Sequence, residues 1–217
     1  MSDSDEPVRA EEKTTGRVEA FSDGVFAIAI TLLILDLRAP IAPPGTVPGA
    51  AQQILLHQLA AMWPNVVAYL MSFAVILVMW VNHHRIFTVV RRTDHAFLFW
   101  NGLLLMLVCI VPFPTELLAK YFLTPAAKVA AAVYAGHGLL IAIAFTIVWR
   151  YATRSDRLLV PGRKAEVTKL TEQYRFGPLM YLVAFALAFV SAWASIGLCL
   201  LFAIFFSLQG FTQRGQG

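Results

Sequence analysis

The residues best suited to chemistry lie in the first apolar stretch of the chain. It holds Glu19, Ser22, Asp23 and Thr31, and Arg17 lies just before it. A charge inside an apolar membrane helix costs about 2.5–3.5 kcal/mol unless it is paired, so such residues mark ion or proton pathways or hold helices together. The sequence has no Ser/His/Asp order, metal motif or Gly-rich phosphate loop. We therefore expect neither an enzyme nor a metal or other cofactor site.

The composition predicts a membrane protein. Of the 217 residues, 59% are hydrophobic and 14% are charged, and the mean hydropathy is +0.68. Water-soluble domains contain about 45–50% apolar and about 25% charged residues. Disorder and a water-soluble fold are therefore excluded.

Six apolar runs predict an all-α, polytopic membrane protein with six transmembrane helices. A span needs about 20 mostly apolar residues, and the last two runs are short and read as a tight helical hairpin. Pro64 is expected to open the second helix, and Pro112 and Pro114 are expected to kink or end the third. The runs are Val18–Leu37, Trp63–Asn82, Ala96–Leu118, Ala126–Trp149, Gly177–Ala192 and Ala194–Gly210.

The distribution of Lys and Arg predicts the orientation in the membrane. With six spans, 14 of the 17 basic residues fall on one side, and only Arg38, Lys120 and Lys128 fall on the other. The positive-inside rule then places both termini in the cytoplasm, with the chain in the cell's inner (plasma) membrane. Topology thus explains the basic sequence pI near 9.3, and we expect no nucleic-acid partner.

The polar residues of the first span need partners from another helix. Either Ser22 or Asp23 caps a short helix, or the helix begins near Arg17 and Asp23 is embedded. We favour the second, because a helix from Gly24 to Leu37 would be about 21 Å long, short of the hydrocarbon core of about 30 Å. The second span returns to the same side of the membrane, which predicts a polar cluster of Arg17, Ser22, Asp23, Asn82, His83 and His84. We expect this cluster to lock two helices together rather than to transfer protons.

A second face of the same helix carries an apolar stripe. At 100° per residue, the stripe contains Gly24, Ile28, Thr31, Leu32 and Leu35, and Asp23 points elsewhere. Such a stripe either faces lipid or packed core, or forms a hydrophobic constriction when several copies meet around a common axis. Periodicity does not choose between these alternatives.

The entry to this span resembles a known family. The run Arg17-Val18-Glu19-Ala20-Phe21-Ser22-Asp23-Gly24 is similar to the Arg-x-x-x-Phe-Ser-Asp signature of the endosomal/lysosomal transmembrane potassium channel family, in particular its prokaryotic members. The resemblance continues through Leu33 and to Trp80, His83 and His84 at the end of the second span.

The resemblance implies a homotetramer whose first helices line one pore for potassium ions. The chain contains no Thr-Val-Gly-Tyr-Gly filter string. By position, Ile28 corresponds to the family's main constriction, Leu32 and Leu35 to further apolar rings, and Thr31 to a threonine proposed to support selectivity. A structural polar network is implied for Arg17, Phe21, Ser22, Asp23, Trp80 and either His83 or His84.

These inferences define the expected organisation. Residues 1–16 form a cytoplasmic tail, residues 17–210 a six-helix channel domain in the lipid bilayer, and residues 211–217 a second cytoplasmic tail. The predicted function is a potassium-selective or potassium-preferring channel with a hydrophobic constriction. The alternative function is a proton-coupled secondary transporter.

Overall fold

The computed structural model describes residues 5–41, 48–154 and 158–211, with side chains at 15–41, 49–154 and 158–205. Every named element in these ranges is a helix, which confirms the all-α prediction. The nine α-helices within these ranges are α1 (Asp5–Leu32), α2 (Pro48–Ala61), α3 (Trp63–Val89), α4 (His95–Ile110), α5 (Pro112–Tyr121), α6 (Ala127–Thr153), α7 (Lys164–Arg175), α8 (Gly177–Ala188) and α9 (Ala192–Phe211).

Four helical segments of the described chain are long and apolar enough to cross a membrane. They are Thr15–Asp36, Trp63–Val89, His95–Tyr121 and Ala127–Thr153. A shorter apolar helix covers Ala192–Phe205. The predicted hairpin is present, since α8 and α9 pack together across a short break. However, α8 has only 12 residues, about 18 Å of helix, and does not reach across a bilayer by itself.

The first helix is continuous through its polar residues. Because α1 runs from Asp5 to Leu32, Ser22 and Asp23 lie inside it and neither caps its start. The helix tightens into a 3-10 turn at Leu33–Asp36. The tail expected for residues 1–16 is thus helical from Asp5, while residues 1–4 and 212–217 of the two predicted tails lie outside the described residues.

Proline positions set the other boundaries. Pro64 lies in the first turn of α3, as predicted. Pro112 begins α5 directly after Val111, so the third run is split into α4 and α5. Proline lacks the N–H that an uninterrupted helix would use, which explains the split.

Two helices lie in segments that the sequence analysis treated as loops. The α2 helix begins at Pro48, a residue suited to the first turn. The α7 helix is amphipathic, with buried Leu170 and Tyr174 on one face. Both were missed because only membrane-length runs were sought.

The core joins the first span to three others. Phe26 of α1 and Leu33 of the following 3-10 turn are buried in one hydrophobic cluster with Ile76 of α3, Leu104 of α4 and Val148 of α6. One face of α1 is therefore fixed by packing, and the remaining face is not used within the single chain.

Candidate functional site

The first span has two sharply different faces. Ser22, Phe26, Ala29 and Leu33 are buried and recur at helical spacing. On the other side, Phe21 is 67% exposed, Ile28 59% and Leu35 65%. The buried face positions the helix, and the exposed face is available for another function.

A chain of hydrogen bonds crosses three helices behind the exposed face. His83 Nε2 on α3 donates to Oδ1 of Asn101 on α4 at 2.8 Å. The Nδ2 of Asn101 donates to Ser22 Oγ at 3.1 Å, and Ser22 Oγ donates to the carbonyl oxygen of Val18 at 2.8 Å. Ser22, His83 and Asn101 are all buried. Buried polar groups bonded in this way hold helices in one register.

Aromatic rings enclose the histidine of this chain. The His83 ring lies between Phe26, with ring centroids 5.3 Å apart, and Phe87, at 4.8 Å. Its Nδ1 atom has no hydrogen-bond partner among the described residues. His83 is therefore held by one directed bond and by ring packing.

A second set of contacts pairs the acidic residues of α1 with α3. Trp80 Nε1 donates to Asp23 Oδ1 at 2.8 Å. His84 Nδ1 and Glu19 Oε1 are also 2.8 Å apart, and the His84 ring stacks near that of Trp80. The two carboxylates thus have different partners, which relieves their repulsion at the i, i+4 spacing.

The two histidines, left equivalent by the sequence, have distinct surroundings. His83 is fully buried, whereas the side chain of His84 is 53% exposed. We assign the buried network to His83, and His84 makes only the contact with Glu19 and the stack with Trp80 among the described side chains.

Arg17 and Asn82 are not brought into these contacts within the described residues. Arg17 is exposed and lines a groove between α1 and α4 together with Phe21. Asn82 is buried on another side of α3, where its backbone carbonyl oxygen accepts a hydrogen bond from the Tyr174 hydroxyl at 3.1 Å. Neighbouring residues on a helix point about 100° apart, so Asn82 and His83 meet different neighbours.

The exposed stripe contains the predicted apolar and threonine positions. Gly24, Ile28, Thr31, Leu32 and Leu35 are all exposed in the single chain. Thr31 Oγ1 donates to the carbonyl oxygen of Ile28 at 2.9 Å. This bond uses the hydroxyl proton and leaves oxygen lone pairs to accept other contacts.

Exposed residues recur at regular intervals along the stripe. Phe21, Gly24, Ile28, Thr31 and Leu35 follow one another at intervals of three and four residues. This alternation averages 3.5 residues, the repeat of helices that wrap around a shared axis.

Asn101 is the main site residue that sequence reasoning missed. It is an amide in the apolar helix α4, and such a side chain needs a partner in a membrane. That signal was present, but no spacing rule linked residue 101 to residue 22. Among the described residues no group of three or more His, Cys, Asp or Glu side chains is arranged to hold a metal.

The fold and the site together define a multi-pass, all-helical membrane protein. Residues 17–112 match the model of a family described as endosomal/lysosomal potassium channel TMEM175. A potassium channel from Chamaesiphon minutus is 57% identical over 200 residues, covering 92% of this chain and 96% of the relative. The chain belongs to the TMEM175 family.

Other relatives extend the comparison. A potassium channel from Streptomyces collinus is 46% identical over 201 residues, covering 92% of this chain and 93% of the relative. The human endosomal/lysosomal proton channel TMEM175 is 42% identical over 97 residues, which cover 44% of this chain and 19% of the human protein. The human protein is much longer than this chain, and the 97 matched residues are a small part of it.

A solved structure agrees with the fold. The crystal structure of a lysosomal potassium-selective channel TMEM175 homolog from Chamaesiphon minutus superposes with a TM-score of 0.80 at 56% identity. The match covers 91% of this chain and 98% of that one.

Proposed function

We propose that four copies of this chain form a potassium channel whose pore is lined by α1. The observation that carries the proposal is the division of α1 into a braced face and an exposed apolar stripe. Relatives of similar length that are 57% and 46% identical are named potassium channels. The 3.5-residue repeat of the stripe fits helices that surround one axis.

The narrowest part of this pore is a ring of Ile28 side chains. Isoleucine is bulky and apolar, so a ring of four excludes water and closes the path by dewetting. Leu32 and Leu35 add further apolar rings on the same face. A small outward movement of α1 readmits water and hydrated cations.

Thr31 gives the pore lining a side-chain oxygen beside these rings. A hydroxyl oxygen can replace part of the hydration shell of a cation, as carbonyl oxygens do in other channels. We assign potassium preference to a ring of four Thr31 oxygens, which takes the place of a Thr-Val-Gly-Tyr-Gly filter.

The polar contacts behind α1 serve as a brace rather than as a conduction path. Asp23 is bonded to Trp80, and Ser22 is bonded through Asn101 to His83. These groups lie on the face opposite the stripe. Their bonds fix the rotation of α1 and thereby direct Ile28 toward the axis.

The proposed topology has six membrane segments, with α8 and α9 as the last two. Both termini face the cytoplasm of a cell whose inner membrane holds the channel. This orientation agrees with the positive-inside rule, because α7 and its flanking loops are the most basic region of the chain.

The test is flux through purified protein in liposomes that hold a potassium gradient. A potential-sensitive dye reports current with and without a protonophore. Passive potassium movement that persists under both conditions supports a channel. The alternative, a proton-coupled transporter, predicts saturable flux that requires a proton gradient, and that result would overturn the proposal.

A further inference from the structure

The third membrane segment, His95–Tyr121, is broken in its interior between α4 and α5. Pro112 has no N–H, so it cannot donate to the carbonyl oxygen of Val108. The amide of Val111 donates to that oxygen instead, at 3.2 Å. The carbonyl oxygen of Leu107 therefore loses the amide that a continuous helix would supply, and a carbonyl without a donor is costly in a membrane.

A histidine of a neighbouring helix supplies the missing donor. His137 Nε2 of α6 donates to the carbonyl oxygen of Leu107 at 3.0 Å. This bond joins α6 to the last turn of α4, directly before the break. The carbonyl that the break exposes is thereby satisfied, and α6 holds the helix on that side.

Three buried hydroxyl groups hold the other side of the break. Thr115 lies in the first turn of α5, with Oγ1 2.8 Å from the carbonyl oxygen of Val111 and 2.7 Å from Ser72 Oγ of α3. The Ser72 hydroxyl is 3.2 Å from the Tyr134 hydroxyl of α6. None of the three side chains belongs to a residue that is more than 7% exposed. Hydroxyl groups bonded in this way join helices inside a membrane.

One face of α6 reaches both sides of the break. Tyr134 and His137 are three residues apart, so they are neighbours on the helix surface. A break at proline otherwise leaves the two helical pieces free to bend. We call Ser72, Thr115, Tyr134 and His137 the α4–α5 clamp, because their bonds fix α5 relative to α4.

The clamped helix α5 contacts the outer end of the first span. It packs against the 3-10 turn at Leu33–Asp36, as α3 also does. Asp36 of this turn interacts electrostatically with Glu116 and Lys120 of α5. Leu35, in the same turn, is 65% exposed and belongs to the stripe. The position of α5 therefore affects where the outer end of the stripe lies.

We propose that the α4–α5 clamp is a positioning device for the outer end of the pore. It holds α5 against the 3-10 turn and so keeps the ring of Leu35 side chains closed. The inference rests on the proposed function, since it requires α1 to line a pore. The contacts of Ser22 and Asp23 hold the inner half of α1, and the clamp supports its outer end. Loss of the clamp lets the outer end of α1 move outward, so the channel opens more often.

Single-channel recording of the full-length protein tests the clamp with two pairs of variants. Thr115→Val removes the hydroxyl, whereas Thr115→Ser keeps it. His137→Phe removes the donor, whereas His137→Gln supplies an N–H at a similar distance from the backbone. The Val and Phe variants should raise the open probability by about threefold or more. The Ser and Gln variants should stay near the wild-type value.

A matched variant separates positioning from a general loss of stability. Ser195 Oγ donates to the carbonyl oxygen of Ala184 at 2.8 Å, which is another buried bond between helices, here α9 and α8. Ser195→Ala should lower the thermal unfolding midpoint about as much as Thr115→Val and leave the open probability unchanged. An equal rise in these two variants, or no rise in Thr115→Val and His137→Phe, would overturn the proposal.

Hydrogen exchange gives a readout that does not require conduction. The amide of Leu37 donates to the carbonyl oxygen of Ile34 at 3.0 Å, so exchange of its proton reports opening of the 3-10 turn. In detergent, Thr115→Val should speed this exchange and Ser195→Ala should not. Equal exchange in Thr115→Val and wild type would overturn the clamp. A wild-type protein that passes no potassium current would instead overturn the proposed function.

Discussion

Trp80 and Asp23 join the second span to the first through one hydrogen bond, in which the indole Nε1 donates to Oδ1 of the carboxylate at 2.8 Å. Asp23 lies in the matched family region, six residues after Arg17, and is partly buried. The bond gives this carboxylate a partner where water is scarce, and it sets the rotation of the helix that carries the exposed stripe.

Replacing Trp80 with phenylalanine removes this donor and keeps an aromatic ring. We expect Trp80→Phe to destabilise the protein by about 1–2 kcal/mol, since a carboxylate loses a charge-assisted bond inside the membrane. Thermal unfolding in detergent measures this loss. The control is Trp63→Phe at an exposed tryptophan of the same helix, which should leave the midpoint nearly unchanged. Equal midpoints for the two variants would contradict the bracing role.

The neighbouring histidines provide a test in which adjacent positions differ only in surroundings. His83→Leu leaves the Asn101 oxygen buried without its donor and should cost about 1–3 kcal/mol. His84→Leu breaks an exposed pair with Glu19 and should cost about 0–1 kcal/mol. Thermal unfolding of both variants under one condition gives the comparison. A larger loss for His84→Leu would reverse the assignment of the network to His83.

The bridging role of Asn101 predicts non-additive mutations. Asn101→Leu removes the two hydrogen bonds that Asn101 makes, to His83 and to Ser22, so adding Ser22→Ala to it should cause little further loss of stability. Because the two residues are in direct contact, the coupling in a double-mutant cycle should be about 0.5–2 kcal/mol. Strictly additive losses would show that Ser22 and Asn101 act independently.

Most residues of this site could be predicted from the sequence, but their hydrogen-bond partners could not. The apolar runs and prolines placed α1, α3, α6 and the break before α5, because length and missing N–H groups are local properties. The choice between His83 and His84 depends on which side of α3 faces α4, and no local pattern contains that angle. Asn101 was missed for the same reason, since its bond to Ser22 joins residues 79 positions apart.

Loop helices show a second limit of sequence reasoning. The α7 helix has too few apolar residues for a span, and its pattern of Leu170 and Tyr174 indicates burial only when the facing surface of α3 is known. A contact of Tyr174 with Asn82 crosses 92 positions. Asn82 therefore makes its contact with α7 and not with the α1 cluster in which the sequence analysis placed it.

The exposed threonine of α1 gives a prediction for selectivity. Thr31→Ala removes the oxygen proposed to contact potassium, and Thr31→Ser keeps it. In mixed potassium and sodium gradients, we expect Thr31→Ala to shift the reversal potential in the direction of a weaker preference for potassium over sodium. Thr31→Ser should keep a reversal potential near that of wild type. If both variants discriminate as wild type does, Thr31 has no part in selectivity.

The constriction itself is tested by making it polar. Ile28→Asn should increase leak through the closed channel and reduce discrimination among cations, because amide groups hold water where isoleucine excludes it. Single-channel recording and liposome flux measure both effects. Ile34→Asn is the matched control, since Ile34 is also exposed, at 48%, and lies about a third of a turn away from Ile28. The control should conduct as wild type does, because its side chain is not directed at the axis. Equal leak in the two variants would mean that α1 meets water on more than one face, and the pore would then have to be formed by another helix.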